Sequence, residues 1–152
     1  NSSYFISKHF AKANISGSDV SEASVKIASD KNIVNSIFEA YDGSKLPFDD
    51  NEFDVVFTSM VFHHIEHRLH EAILSEIKRV LKKGGRFYNF EHNPNNPLTR
   101  KVVRECEFDE DAVLLKPSYN KQITDNSGLK TTNLNYTLFF PRHKLFKMFL
   151  AI

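Results

Sequence analysis

The run Leu46-Pro47-Phe48-Asp49-Asp50-Asn51-Glu52-Phe53-Asp54-Val55-Val56-Phe57, followed about twenty residues later by Arg79-Val80-Leu81-Lys82-Lys83-Gly84-Gly85-Arg86, constrains this chain more than any other feature. Pro47 and the acidic cluster Asp49 to Glu52 break the chain, and Val55-Val56-Phe57-Thr58 then reads as a buried parallel strand. From Glu71 the spacing turns helical, with Ile73, Leu74, Ile77, Val80 and Leu81 on one face and Glu71, Glu76, Lys78, Arg79, Lys82 and Lys83 on the other. Basic residues in the last turn suit the helix dipole, and Gly84-Gly85 is expected to stop the helix before a new strand over Arg86 to Phe90. This is a loop, strand, helix, turn and strand in order, the repeating unit of an α/β protein.

The remainder of the chain extends the alternation. The pattern predicts a helix over Ser2 to Ala13, a strand over Asn14 to Asp19, a helix over Ser21 to Asp30 capped by Ser21, and a strand over Ile33 to Tyr41. A strand over Asp54 to Ser59 and the unit above follow. Two prolines in Glu91-His92-Asn93-Pro94-Asn95-Asn96-Pro97 forbid regular structure there, and a helix is expected from Leu98 to Cys106. Residues Phe108 to Asn126 are polar and mixed and are assigned no element. A last strand, Asn133 to Phe140, and an apolar helix from near His143 complete the prediction. Strands alternating with helices imply a doubly wound, mostly parallel sheet.

The two opening runs resemble those of class I S-adenosylmethionine-dependent methyltransferases of the type 11/12-like group. That family commonly carries Leu-Pro-Phe-x-Asp-x-x-Phe-Asp-Val-Val before its fourth strand and Arg-Val-Leu-Lys-x-Gly-Gly before its fifth; Leu46 to Val56 and Arg79 to Gly85 match both. Some of its members also have a Glu-His-Asn-Pro run, then Asn-Pro-Leu-Thr-Arg and Cys-x-Phe-Asp-x-Asp-Ala-Val-Leu-Leu, as in Glu91 to Pro94, Asn96 to Arg100 and Cys106 to Leu115. The likeness spans Gly17 to Pro141. It implies a Rossmann-like methyltransferase fold and the transfer of a methyl group from S-adenosylmethionine to an oxygen, nitrogen or carbon nucleophile of a small molecule. The family's first helix follows a strand and a Gly-x-Gly-x-Gly loop, and its sheet closes with an antiparallel strand. With five glycines and none before Gly17, the expectation is a single methyltransferase-like domain, 1–152, that is a fragment incomplete at both ends and binds the cofactor weakly by itself.

Length and composition bound the alternatives. A chain of 152 residues can bury roughly 70% of its unfolded surface. Its 20 basic and 19 acidic residues give a net charge of +1, which speaks against a nucleic-acid partner. The apolar runs fall short of the ~20 residues of a membrane span. A lone Cys106, with no signal-peptide pattern at the start, sets the expected location as the cytoplasm. Exposed strand edges suggest a homo-oligomer.

Ligands of open parallel sheets sit outside the carboxyl ends of the strands, which sorts the candidates. After the first strand, Gly17-Ser18-Asp19-Val20-Ser21 resembles the family's Gly-x-Asp-Ile-Ser segment; the resemblance puts Asp19 on the ribose hydroxyls and Val20 against adenine, while Asp19 as a simple helix cap is the alternative. By the same resemblance Asp42 and Gly43 would meet the adenine amino group and ring; the alternative is an ordinary Asp-Gly turn. Asp54 opens its strand at the opposite edge and is structural. After the next strand the resemblance places Ser59 by the cofactor's methionine portion and a histidine, His63, toward substrate; equally, one of His63 and His64 packs and the other is solvated. Two adjacent histidines with the only cysteine far away do not make a zinc site, so no metal is expected. Glu91 and His92 are candidate proton acceptors, or polar groups satisfying the loop backbone. Two rival classes share parts of this pattern: a non-catalytic methyltransferase-like module, and a nucleotide-binding dehydrogenase, which leaves Arg79 to Gly85 unexplained.

Overall fold

The computed structural model describes residues 2–136. Its elements are α1 (Ser2–His9), β1 (Ile15–Asp19), α2 (Glu22–Ser29), β2 (Ser36–Ala40), β3 (Phe53–Ser59), α3 (His70–Val80), β4 (Leu81–Phe90), α4 (Pro97–Arg104) and α5 (Pro117–Asn126), with short 3-10 turns at Phe62–His64, His67–Leu69 and Glu107–Asp109. Among the described residues all strand pairing is parallel, as the alternation of helices and strands leads one to expect. The strands form two separate pairs, β1 with β2 and β3 with β4, rather than one continuous sheet.

β1 and β2 align Ile15 with Ser36 through Asp19 with Ala40. The connecting α2 begins where the sequence placed it: Ser21 accepts the amide of Ser24 at 3.2 Å as N-cap. β2 is shorter than the expected Ile33 to Tyr41, because Asn32 and Asn35 take positive φ values of 48° and 54° and turn the chain before Ser36. α1 likewise ends at His9 rather than Ala13.

The core lies on one face of the β3–β4 pair. Phe62, Leu74, Ile77, Leu81, Leu115 and Ile123 are buried together, with Val56, Phe87, Leu46, Ile73, Tyr119 and Leu129 packed around them. Leu74 and Ile77, from the apolar face of α3, are 1% and 2% exposed; burial of each side chain is worth about 1.5–3 kcal/mol. The pleat sends Val55, Phe57, Tyr88 and Phe90 to the other side, where they remain exposed. α5 falls in the segment assigned no element from sequence, and its Ile123 completes this core.

The runs Leu46 to Phe57 and Arg79 to Arg86 are each other's hydrogen-bonding partners. Arg79 donates through Nη1 to the carbonyl of Phe48 at 2.8 Å and to Asp50 Oδ1 at 2.7 Å, and through Nη2 to the carbonyl of Leu46 at 3.1 Å. Glu76 holds the guanidinium from the other side and accepts the amide of Leu46 at 3.1 Å. This clamp corrects the expected helix end. The amides of Asn51 and Glu52 take the carbonyls of Arg79 and Val80 at 2.9 and 2.8 Å, so α3 stops at Val80 and β4 starts at Leu81, before the glycines are reached. Gly84, at φ 85°, instead lets β4 bulge between the Phe53–Leu81 and Val55–Arg86 pairings. A Cβ on Gly85 would lie 3.2 Å from the Asp54 carbonyl. Asp54 pairs with Lys82 at 2.8 Å at this end of the strands, the structural position expected for it.

Asn96 caps α4, its Oδ1 accepting the amide of Leu98 at 2.9 Å, and Pro97 occupies the first turn. Residues Asn133 to Tyr136, the start of the expected last strand, are not in a strand; the rest of that strand and the helix from His143 lie outside the described residues. Among the described residues no helix is long and apolar enough to cross a membrane.

Candidate functional site

Two clusters form at the carboxyl ends of the strands, one on each pair. On the first, Asp19 ends β1 and accepts the amide of Ser21 through Oδ1 at 2.8 Å; the cap of α2 is Ser21 itself, so Asp19 shapes the turn before the helix rather than capping it. Val20 is 64% exposed. Across from it, Gly43 has φ 85° and a Cβ there would meet Val20 Cγ1 at 3.5 Å, which brings the backbone of the loop after β2 directly against Val20. Asp42 Oδ1 accepts both the amide and the hydroxyl of Ser44, at 2.9 and 2.6 Å, and these bonds lower its pKa. The Asp-Gly turn is therefore real, and it also presents a firmly ionised carboxylate. Tyr41 stands between the two acids; partial burial, then the charges of Asp19 and Asp42, raise its pKa. The sequence candidates Asp19, Val20, Asp42 and Gly43 thus share one end of the β1–β2 pair.

The second cluster starts where β3 and β4 end side by side, Ser59 opposite Phe90. Met60 then takes φ 58° and donates its amide to the Phe90 carbonyl at 2.9 Å, which turns the chain sharply out of the strand at a cost of about 1–3 kcal/mol for a non-glycine residue. Glu91, first after β4, compensates. Its Oε1 accepts the amides of Val61 and Phe62 at 3.1 and 2.8 Å, and its Oε2 lies 2.6 Å from His63 Nδ1. Both carboxylate oxygens are occupied and the side chain is 6% exposed, so the Glu91 carboxylate holds its neighbours.

His63 is wholly buried and His64 is 40% exposed. An ionised carboxylate only accepts, so His63 Nδ1 carries the proton toward Glu91 and Nε2 points the other way. Nε2 is buried without a hydrogen-bond partner among the described residues; Asp109 Oδ1 stands 3.5 Å away, and 3.4 Å from His64 Nε2. Burial opposes a charge on His63, but the hydrogen bond to Glu91 and the charges of Glu91 and Asp109 outweigh it and raise the pKa. His92, 20% exposed, is 3.9 Å from Asp109 Oδ2 through Nε2; burial and then the neighbouring His63 lower its pKa. A cavity of about 930 Å³ runs along β4 from Gly84 and is lined by Met60, Glu91, His92, Asn93 and Thr131 among others.

Sequence reasoning missed Asp109. Its Cys-x-Phe-Asp segment, Cys106 to Asp109, carries part of the family resemblance, but nothing local in it says that the turn folds back onto His63. The amide of Val113 donating to the His63 carbonyl at 2.8 Å fixes that return. The expectation of only two adjacent imidazoles therefore becomes three donors in space.

Comparison with known proteins fits this geometry. The profile of the family described as "Methyltransferase domain" matches residues 2–89. A ubiquinone/menaquinone biosynthesis C-methyltransferase of Ectopseudomonas mendocina is 35% identical over 96 residues, covering 59% of this chain and 37% of the relative. A protein of the same description from Stutzerimonas stutzeri is 32% identical over 115 residues, covering 72% and 42%. The chain thus spans about two fifths of the length of these curated relatives. Among solved structures, a SAM-dependent methyltransferase from Thermotoga maritima superposes with TM-score 0.62 at 24% identity, over 78% of this chain and 55% of that one. Another, from Aquifex aeolicus, gives 0.64 at 21%, over 82% and 63%; both bear on the fold, an α/β Rossmann-like one. With more than half its residues matched by the family profile, and with acids and histidines gathered at the carboxyl ends of its parallel strands, this chain belongs to the class I S-adenosylmethionine-dependent methyltransferases.

Proposed function

We propose that the protein carrying this chain transfers a methyl group from S-adenosylmethionine to an oxygen, nitrogen or carbon nucleophile of a small molecule. The observation that carries this reading is the first cluster: two carboxylates, an exposed Val20 and a left-handed Gly43 at the ends of β1 and β2. This donor set fits an adenosyl group. A ribose offers two neighbouring hydroxyls to the Asp19 carboxylate, an adenine ring offers a flat apolar face to Val20 and Gly43, and its amino group offers a donor to Asp42. Ser59 ends β3 on the side where the methionine portion would lie. When bound, S-adenosylmethionine supplies an electrophilic methyl on a sulfonium.

The chain's own part is positioning and proton handling. Aligning a nucleophile with the methyl carbon supplies most of such a catalysis, so a base assists without being indispensable. His92 is the candidate base, because its ring lines the cavity while His63 is fully buried. It would receive the nucleophile's proton at a ring nitrogen. Glu91 and His63 serve as positioning residues, holding the turn after Met60 against the β4 end.

Calorimetric titration of the protein with S-adenosylmethionine and, separately, with NAD tests the reading. Binding of the sulfonium compound, absence of NAD binding, and at least a tenfold loss of affinity in Asp19→Ala are expected. Binding of NAD alone would transfer the site to the dehydrogenase class, and no binding of either would favour a non-catalytic module.

A further inference from the structure

We propose that His63, His64 and Asp109 form a binding site for a divalent transition metal ion of the zinc class. One ligand atom from each of His63, His64 and Asp109 lies within 4.8 Å of the others, and Asp109 Oδ1 faces Nε2 of both histidines. A tetrahedral ion with bonds of ~2.0–2.1 Å holds its donors about 3.3 Å apart. The two imidazole-to-Asp109 separations, 3.5 and 3.4 Å, already match that spacing to within a few tenths of an ångström.

The surroundings favour an ion over an empty contact. His63 Nε2 is buried without a hydrogen-bond partner among the described residues, Asp109 Oδ1 lying 3.5 Å away, too far for a good hydrogen bond, and a buried nitrogen lone pair left that way is costly. A dication on that lone pair satisfies it. On the far side of the ring, Glu91 engages Nδ1 at 2.6 Å, which fixes the tautomer and ring orientation, as carboxylates do behind metal-bound histidines. The charges balance as well: one dication answers the carboxylates of Asp109 and Glu91. His64 is partly exposed and provides an entry path. With three protein donors a tetrahedral ion would keep one position for water or a ligand atom, and His92 Nε2 stands close by, 3.9 Å from Asp109 Oδ2.

Such an ion would tie the turn at Glu107–Asp109 to the ends of β3 and β4, so its effect is on the order of this loop whether or not methyl transfer takes place. The test is titration of the metal-stripped protein with Co2+, followed by the visible absorption of tetrahedral cobalt, and with Zn2+ by equilibrium dialysis. One ion per chain is expected, with a raised thermal midpoint. His64→Gln, at a partly exposed position that folding tolerates, and Asp109→Asn should each weaken binding by at least tenfold, and Glu91→Gln by about 10–100-fold. His67→Gln, an exposed histidine outside the cluster, should leave affinity unchanged. No stoichiometric ion, or binding that survives both His64→Gln and Asp109→Asn, or binding lost equally in His67→Gln, would overturn the site.

Discussion

Arg79 donates to the Phe48 carbonyl at 2.8 Å across 31 residues of chain. The bond joins the loop before β3 to the last turn of α3, and Leu46, Asp50 and Glu76 occupy the remaining guanidinium hydrogens. Glu76, then Asp50, raise the Arg79 pKa, so the group is a fixed cation. Lysine keeps the charge but cannot serve four acceptors in one plane. Arg79→Lys is expected to cost about 1–3 kcal/mol in urea-induced unfolding; an unchanged midpoint would show that the clamp contributes nothing.

Glu91→Gln keeps an oxygen for the amides of Val61 and Phe62 but removes the carboxylate beside His63. A loss of about 1.5–3 kcal/mol is expected, typical of a hydrogen bond to a charged group. Chemical denaturation measures it, and the proton resonances of the His63 ring should shift at the same time. Stability and resonances both like the parent's would remove Glu91 from its holding role.

His70 makes the fold acid-sensitive. It is fully buried, and Nε2 faces the carbonyls of Phe62 and Ile65 at 3.0 and 2.9 Å, so Nε2 donates and Nδ1 accepts from the Tyr119 hydroxyl at 3.0 Å. His67 and Glu91 are the other titratable groups that influence it. Desolvation lowers its pKa in the folded protein. The unfolded chain, with histidine near pH 6.5, therefore takes up the proton first, and stability falls as pH drops through about 6.5 until the lower folded value is reached, by at most about 1.4 kcal/mol per pH unit. In His70→Gln this component disappears, so the difference in unfolding free energy between parent and variant should narrow from pH 8 to pH 5. A constant difference would refute the assignment.

Two glycines separate crowding from backbone strain. A Cβ on Gly17 would come within 2.7 Å of Phe38 Cδ1 on the paired strand, and Gly17→Ala should cost about 1–3 kcal/mol by overpacking. Gly84→Ala meets nothing within 4 Å but must hold φ 85°, costing about 1–2 kcal/mol. The additional replacement Phe38→Leu should recover part of the first loss. For Gly84→Ala the same replacement should recover none.

Elements whose cause is local were legible without coordinates. Ser21 as a cap and the period of α3 from Leu74 to Val80 depend on neighbours within a turn or two, and they stand as expected. Which polar residues reach the strand ends follows from chain direction in a parallel sheet, which is why the acids Asp19 and Asp42 and the serine Ser59 could be chosen by position. α3 ends at Val80, by contrast, because Asn51 and Glu52 reach its carbonyls from 28 residues away. Long-range hydrogen bonds leave no periodic trace in a sequence.

The sequence by itself determined the alternation of strand and helix, because hydrophobic period and turn chemistry are properties of short segments, and it pointed to the family through the resemblance carried by Leu46 to Val56 and Arg79 to Gly85. Only tertiary structure decided what Glu91, His63 and Asp109 do. Glu91 turned from a candidate base into the anchor of His63, and Asp109, 46 residues beyond His63 in the chain, became its neighbour. The physical reason is that a carboxylate's role depends on which donors face its oxygens, and those donors are delivered by folding.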